Sequence, residues 1–386
     1  MIARIMIIIY RLLFFNKKLD CSSIFCNINN HMNNKISILL FSVACLMAPG
    51  CADISSVKQV SPDTMQTIYD QVKTPYKYGV VIEPPQGGMV DGPTVFQKDG
   101  KWYMIYFQLD TNPDGYTTHL AVSEDLLTWK PLGCILPRGA EGSWDCAQAA
   151  GGIALCDTTW GGSYELQKYN DKYWLSYLGG PKPGYETPPL SISLACTDDP
   201  TIPSQWNRLD QPCLNPTDPD IREFEGYTLF KSHIIHDKDK TLGAPFVMFY
   251  NAASKKGGER IGIALSDNMT DWKRYGSSHI LANQSPEGKA GITGDPQITR
   301  IGDVWVMFYF GAFWRPGAFD TFACSYDLVN WTKWEGTDLI SSSEPWDKTF
   351  AHKPWIVKHN GVVYHFYCAV GDKGRVIALA TSKDMR

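Results

Sequence analysis

The sequence predicts an all-β fold: a five-bladed β-propeller with four-stranded blades, its ring closed by an N-terminal strand. Three observations predict it. First, a turn followed by an aromatic-rich alternating strand occurs five times: at Asp99–Tyr106, Asn170–Tyr177, Gly243–Tyr250, Gly302–Tyr309 and Asn360–Tyr367. Second, each of the first four copies is followed by a polar turn that ends in Trp. These are Ser123–Trp129, the looser Thr197–Trp206, Ser266–Trp272 and Ser325–Trp331. Third, helical periodicity is nearly absent. Units of about 60–75 residues made only of turns and alternating strands read as radial blades.

Taken in chain order, the first element is a processing segment. Met32-Asn33-Asn34-Lys35 is a short basic n-region, and Ile36–Met47 is an apolar stretch too short to span a bilayer. Ala48-Pro49-Gly50-Cys51 then resembles a lipoprotein cleavage box, which makes Cys51 the expected lipidated N-terminus of the mature chain. Residues 1–50 are accordingly read as a mis-called start plus a lipoprotein signal peptide, and 51–75 as a linker. Residues 76–386 are read as the catalytic propeller. The expected location is the cell envelope, as an outer-membrane or periplasmic lipoprotein held to the membrane by its lipid anchor.

Tyr78–Ile82 is the strand expected to complete the last blade. The fifth polar turn begins at Ser382-Lys383-Asp384-Met385 and the chain stops there, so the outer strand of that blade must come from the other end. Closure of this kind hides sheet edges that would otherwise pair with other chains.

Composition narrows the function. The chain has 386 residues with a formal net charge of -4, which argues against nucleic-acid binding, since that wants a clustered basic face. Its 13 tryptophans suit a ligand with flat apolar faces, such as a sugar, although most will fill sheet cores. Seven of the 11 cysteines follow Cys51, an odd number, and they show no spacing typical of a zinc site. No cofactor is required by this reading, and a monomer is expected.

The innermost strand of each blade faces the central funnel, so the residues that open the units are the candidates for chemistry. They are Asp91-Gly92-Pro93 in unit one, Glu225-Gly226 in unit three, Asp295-Pro296 in unit four and His352-Lys353-Pro354 in unit five. Unit two, aligned on its turn, offers Gly161-Gly162. Asp91, Glu225 and Asp295 would then ring one cavity. Glycoside hydrolysis uses such a set: one carboxylic acid protonates the leaving oxygen, one carboxylate activates water, and a third charge tunes the first. Carboxyls facing each other across a funnel leave room for a water, the ~6.5–9.5 Å arrangement of inverting enzymes. Candidate sugar contacts are Trp144, Asp145 and Gln148 in the insertion after unit one, Glu186 and the pair Trp314 and Arg315 in loops, and His352.

From about Tyr78 to Arg386 the chain resembles the five-bladed propeller glycosidases of glycoside hydrolase family 43 and its relatives, families 32, 117 and 130. Asp91-Gly92-Pro93, Glu225-Gly226, Asp295-Pro296 and His352 carry the resemblance. It implies that Asp91 is the general base, that an Asp-Pro orients substrate and that a Glu-Gly-Pro carries the acid. Here the Glu-Gly precedes the Asp-Pro, and Tyr227 stands where the family has Pro. By motif Glu225 is the acid; by blade position Asp295 is. The resemblance also implies a structural calcium or water near His352. The expected activity is exo-acting, inverting hydrolysis of an oligo- or polysaccharide, of arabinofuranosidase, xylosidase or galactosidase type. Two alternatives stand beside it. One is a phosphorylase drawing on Lys231, His233, Arg315 and Lys353 for phosphate; the other is a glycan-binding lipoprotein without catalysis.

Overall fold

A computed structural model describes residues 59–110, 115–202 and 206–386. The expected leader and the lipidation site Cys51 lie outside the described residues. Twenty strands form five four-stranded antiparallel sheets. Strand β1 (Tyr76–Ile82) comes first in the chain. Blade one is β2 (Met89–Lys98), β3 (Lys101–Leu109), β4 (Thr117–Ser123) and β5 (Lys130–Leu136). Blade two is β6 (Gln148–Ile153), β7 (Tyr173–Gly180), β8 (Ser191–Thr197) and β9 (Asn207–Arg208). Blade three runs β10 (Thr228–His236), β11 (Phe246–Ala253), β12 (Glu259–Ser266) and β13 (Lys273–Tyr275). Blade four runs β14 (Ile292–Ile301), β15 (Val304–Ala312), β16 (Ala318–Ser325) and β17 (Thr332–Lys333). Blade five is β18 (Phe350–His359), β19 (Val362–Gly371) and β20 (Gly374–Thr381), completed by β1, whose Tyr76 pairs with Thr381 and whose Ile82 pairs with Ile377.

The repeated Ser-x-x-x-x-x-Trp turn has a local cause. The indole N–H of Trp129 donates to the Leu126 carbonyl at 3.1 Å, and Trp272 and Trp331 do the same to Met269 and Leu328 at 2.8 and 2.9 Å. Ser123 and Ser325 accept the backbone N–H groups of Leu126 and Leu328 at 2.9 and 3.0 Å. The turn thus satisfies its own polar groups while its Trp packs between sheets. Apolar clusters then join neighbouring blades: Val95, Met104 and Tyr106 of blade one pack with Trp355, Phe366 and Leu379 of blade five.

Two expectations are corrected here. The segment read as a linker contains a helix, α1 (Pro62–Val72), capped by Ser61, whose Oγ accepts the Thr64 N–H at 3.1 Å. Its stripe of Met65, Ile68 and Val72 is buried against Val306, Phe308 and Phe322 of blade four and Ile356 and Val363 of blade five. In unit two the innermost strand is β6, not Gly161-Gly162. The repeat is out of step because residues 154–172 leave the blade before β7 begins. They run beneath the ring and bond to the far ends of three innermost strands. Gln97 N–H donates to the Tyr164 carbonyl at 2.8 Å, Trp160 N–H to the Arg300 carbonyl at 3.1 Å, and Lys358 N–H to the Tyr164 hydroxyl at 2.9 Å. This segment closes the lower end of the funnel.

Four of the innermost strands share one irregularity. The register shifts between Asp91 and Thr94, Leu229 and Ser232, Gly294 and Gln297, and His352 and Trp355; β6 has no such shift. A bulge bends a strand and re-aims its side chains. Gly92, Asp295 and Lys353 sit at matching bulge positions with φ of 56°, 50° and 64°. A glycine takes this conformation freely; Asp295 and Lys353 hold it against a steric cost.

Candidate active site

Three of the four bulges, those of blades three, four and five, border a cavity of about 310 Å³ at the open end of the funnel. One wall is apolar, made by Phe230, Ile292, Phe310, Ala312, Phe313, Ala318 and Phe350. The other is polar, with Tyr185, Glu186, Asn251, Glu259, Asp295, His352, Lys353 and Arg375.

Lys353 organises the polar wall. Its ammonium donates to Glu186 Oε1 at 2.8 Å, to Asp91 Oδ2 at 2.9 Å and to the Tyr185 hydroxyl at 3.4 Å. Asp91 lies directly behind it and is 0% exposed. Its Oδ2 also accepts from the Tyr116 hydroxyl at 2.9 Å and from Arg375 Nη1 at 3.2 Å, and its Oδ1 takes the Gly92 N–H at 2.9 Å. Burial alone would raise the Asp91 pKa, but the charges of Lys353 and Arg375 outweigh it and hold the carboxyl well below the usual range. Asp91 anchors the two cations and does not line the cavity. The general-base expectation for Asp91 is therefore corrected: both its oxygens are occupied and solvent does not reach them.

The cavity has a different acid, one that no sequence motif marks. Glu259 opens β12, half-buried, and accepts a hydrogen bond from Asn251 Nδ2 at 2.6 Å. Burial, together with the charge of nearby Glu186, pushes its pKa up to about 8. Asn251 Oδ1 in turn receives the Asp295 backbone N–H at 3.3 Å, which ties the two acids into one unit. Asp295 is buried, its pKa raised by burial, and its Oδ2 has no hydrogen-bond partner. Lys231 stands 3.8 Å from that oxygen. That oxygen is closed off from solvent and has the Lys231 ammonium as its nearest charged neighbour.

Of the residues picked from sequence, Glu186, Asp295 and His352 meet in this cavity. The others do not. Glu225 lies before β10 rather than on it, and Phe230-Lys231 fills the bulge of blade three. Glu225 is fully buried, hydrogen-bonded to Arg222 Nε at 2.7 Å and to the Tyr250 hydroxyl at 2.6 Å, and ion-paired with Arg274, whose Nε lies 3.1 Å away. Burial would raise its pKa, but these partners lower it overall. An acid locked in this way cannot give up a proton to substrate, which removes Glu225 from the mechanism. Trp144 stacks on Tyr177 at 5.5 Å, and Asp145 accepts from that Tyr177 hydroxyl at 3.1 Å and pairs with Arg208 at 3.2 Å. Both are structural corners of blade two. Gln148 is buried and donates to the Lys182 carbonyl at 3.0 Å, which pins the loop that carries Glu186. Trp314 and Arg315 line a neighbouring cavity.

The expected calcium near His352 does not fit. His352 Nε2 faces Arg375 Nη1 at 3.3 Å and Nδ1 lies 3.2 Å from the Cys368 carbonyl. Burial and the charges of Arg375 and Lys353 depress its pKa well below the usual value, and two cations are the wrong field for Ca²⁺, which wants several oxygen donors. No group of three or more potential metal ligands occurs among the described residues. Nor do the four cations suggested for phosphate converge. Lys353 is held between Asp91 and Glu186, Lys231 and His233 are buried below, and Arg315 pairs with Asp338 elsewhere.

The missed residues left faint traces. Glu259 follows the turn Lys255-Lys256-Gly257-Gly258 and, with Arg260, puts charge at the head of the apolar run Ile261–Leu265. That signal exists, but it is common at strand ends and carries no motif.

Comparison with solved structures gives two close similarities. One, described as a glycoside hydrolase, is 47% identical, with a TM-score of 0.81 over 85% of this chain and 97% of that one. Another, described as a complex of BT0996 with RGII, is 48% identical, with the same TM-score and coverage. More distant is a family 117 glycoside hydrolase from Zobellia galactanivorans, 15% identical, with a TM-score of 0.57 over 81% of this chain and 91% of that one. A thermostable family 43 enzyme, 14% identical, has a TM-score of 0.54 over 79% and 91%. These last two share the fold alone. No family model and no curated protein matches the chain.

Proposed function

The chain belongs to the glycoside hydrolases, and on that premise we propose that it removes a terminal sugar from an oligo- or polysaccharide with inversion, Glu259 acting as general acid and Glu186 as general base. The observation that carries this reading is the contrast between two carboxyls on one cavity. Glu259, with its pKa near 8, keeps its proton at neutral pH and can pass it to the leaving oxygen. Glu186 is paired with the Lys353 ammonium at 2.8 Å, which fixes the position of its carboxyl at the cavity where a water would be held. Asp295 lines the same cavity, and Arg375 and Lys353 hold the polar side of the ring.

About 310 Å³ lies at the small end of ligand pockets, which suits one terminal residue. Glu186 and Glu259 come from different blades, and room for a water between them is the requirement for inversion.

A panel of aryl-glycosides and plant polysaccharides, followed by early-time NMR of the released sugar, tests this. Inverted product supports it; retained configuration, or transglycosylation to methanol, would mean a covalent intermediate and overturn the mechanism. We further propose that Cys51 is lipidated and holds the enzyme in the cell envelope. Multiple acyl chains anchor firmly where one does not. Cys51→Ala should then move the protein to the soluble fraction, and a variant that still pellets with membranes refutes the anchor.

A further inference from the structure

Phe313 is 54% exposed, the most exposed large hydrophobic side chain among the described residues. Its φ is +66°, a backbone conformation that a bulky aromatic seldom adopts. The following residue holds it there. Trp314 packs edge-on against Phe319 at 5.2 Å, and a Cβ at Gly291 or Gly311 would collide with its indole. Trp314 is thus the wedge that fixes the loop, and Phe313 is the ring left facing outward. Phe350 braces it edge-on at 6.1 Å.

Phe313 forms a wall common to two cavities. One is the active-site cavity; the other, about 440 Å³ and more open, adjoins it and includes Ser285, Glu287, Lys289 and Arg315. The charges there are offset. Arg315 pairs with Asp338 and its guanidinium lies 3.3 Å from the Phe319 ring centroid, while Glu287 and Lys289 carry opposite signs. A groove with one exposed aromatic face, the Ser285 hydroxyl and charges that offset one another suits uncharged sugar rings, whose C–H faces stack on aromatics.

We propose that Phe313 is the platform for the leaving-group sugar and that the second cavity receives the next uncharged units of the same chain. The substrate is then an oligosaccharide with at least two sugars beyond the bond cleaved. This rests on the hydrolytic reading above and names the part of the substrate that lies outside the pocket. Phe313 touches the leaving group and not the reacting atoms, so its effect belongs in KM more than in kcat.

The test compares wild type, Phe313→Ala and Phe313→Tyr on methyl arabinofuranoside and an arabinotriose, and on the corresponding xylose pair. Loss of stacking should raise KM for the trisaccharide roughly tenfold more than for the methyl glycoside, with kcat for both little changed, and Tyr should restore it. Equal losses on both substrates, or no loss on the trisaccharide, overturn the proposal. A second measurement separates it from the hydrolytic reading. Wild type and Phe313→Ala, each carrying Glu259→Gln, are applied to an array of plant cell-wall oligosaccharides. Binding that needs Phe313 while wild type cleaves nothing would count against hydrolysis but for the subsite. Binding indifferent to Phe313 would count against the subsite.

Discussion

Blade three holds two glutamates a short distance apart in sequence, both withdrawn from solvent, and they are opposites. Glu225 sits in a corner outside the funnel, bonded to Arg222, Arg274 and Tyr250, with Arg274 itself shared with Asp218 and Asp220. Glu259 sits on the cavity with one hydrogen bond, from Asn251, and feels Glu186 and Asp295 as like charges. Burial alone raises the pKa of both. In the first, fixed positive charge more than cancels the cost; in the second, neighbouring negative charge adds to it. The comparison teaches that a buried acid beside a glycine turn is not evidence of catalysis. What matters is whether its charge is compensated.

The largest expected effect breaks the pair apart by activity. Glu259→Gln keeps the shape and the Asn251 contact but has no proton to give, so kcat should fall about 10²–10⁴-fold with the fold intact. The folded fraction of Glu225→Gln should retain near wild-type kcat. If the two variants lose activity alike, the assignment of the acid to Glu259 is wrong.

Stability should reverse that order. Glu225→Gln leaves two buried guanidiniums without their shared counter-charge, and breaking a buried pair costs about 3–5 kcal/mol. The low end is expected, about 3 kcal/mol, because Arg274 keeps Asp218 and Asp220. Urea denaturation measures this directly. Glu259→Gln should cost little at neutral pH, where the wild-type carboxyl is already protonated.

The same contrast marks where the sequence was legible. The blades could be read because three of them, one, three and four, solve the same local problem with the same turn, at Ser123–Trp129, Ser266–Trp272 and Ser325–Trp331. The closing strand followed from a truncated last unit. Asp295 and His352 could be found because a bulge recurs at one register in β14 and β18, and Pro296 and Pro354 mark it. Glu225 misled because its glycine turn looks like a strand start, while the strand begins at Thr228. Nothing local says that Arg222 and Arg274 will close around it. Glu259 was invisible for the converse reason: its raised pKa comes from burial and from Glu186 and Asp295, and both the burial and those neighbours exist only once the ring has closed. Blade two was misread because residues 154–172 serve the floor of the funnel and not the blade.

The pH dependence of rate sharpens the comparison further. If Glu259 is the acid, kcat/KM should hold up to about pH 8 and then fall tenfold for each unit above it. Replacing Lys353 by Met removes a nearby positive charge and should shift that limb upward. A basic limb unmoved in position by Lys353→Met, in a variant that still folds, would mean that the limb belongs to a different group.

The smallest effect is the stability slope, and here the two glutamates should carry opposite signs. Glu259 has its folded pKa raised, from 4.5 to about 8, so the folded state binds the extra proton. Its contribution is fully present below about pH 4.5 and is lost as pH rises through 8. The limiting slope for one proton is about 1.4 kcal/mol per pH unit, and for a half-buried carboxyl about 1 kcal/mol per unit is expected between about pH 6 and 8. Glu225 has its folded pKa lowered, so its contribution is present above the unfolded value and is lost as pH falls through the acid range. Chemical denaturation across pH should therefore show the alkaline slope reduced in Glu259→Gln alone, and the acid slope reduced in Glu225→Gln alone. Should Glu225→Gln instead flatten the alkaline side, the charge compensation assigned to Arg222 and Arg274 would be mistaken, and the two acids would not be opposites.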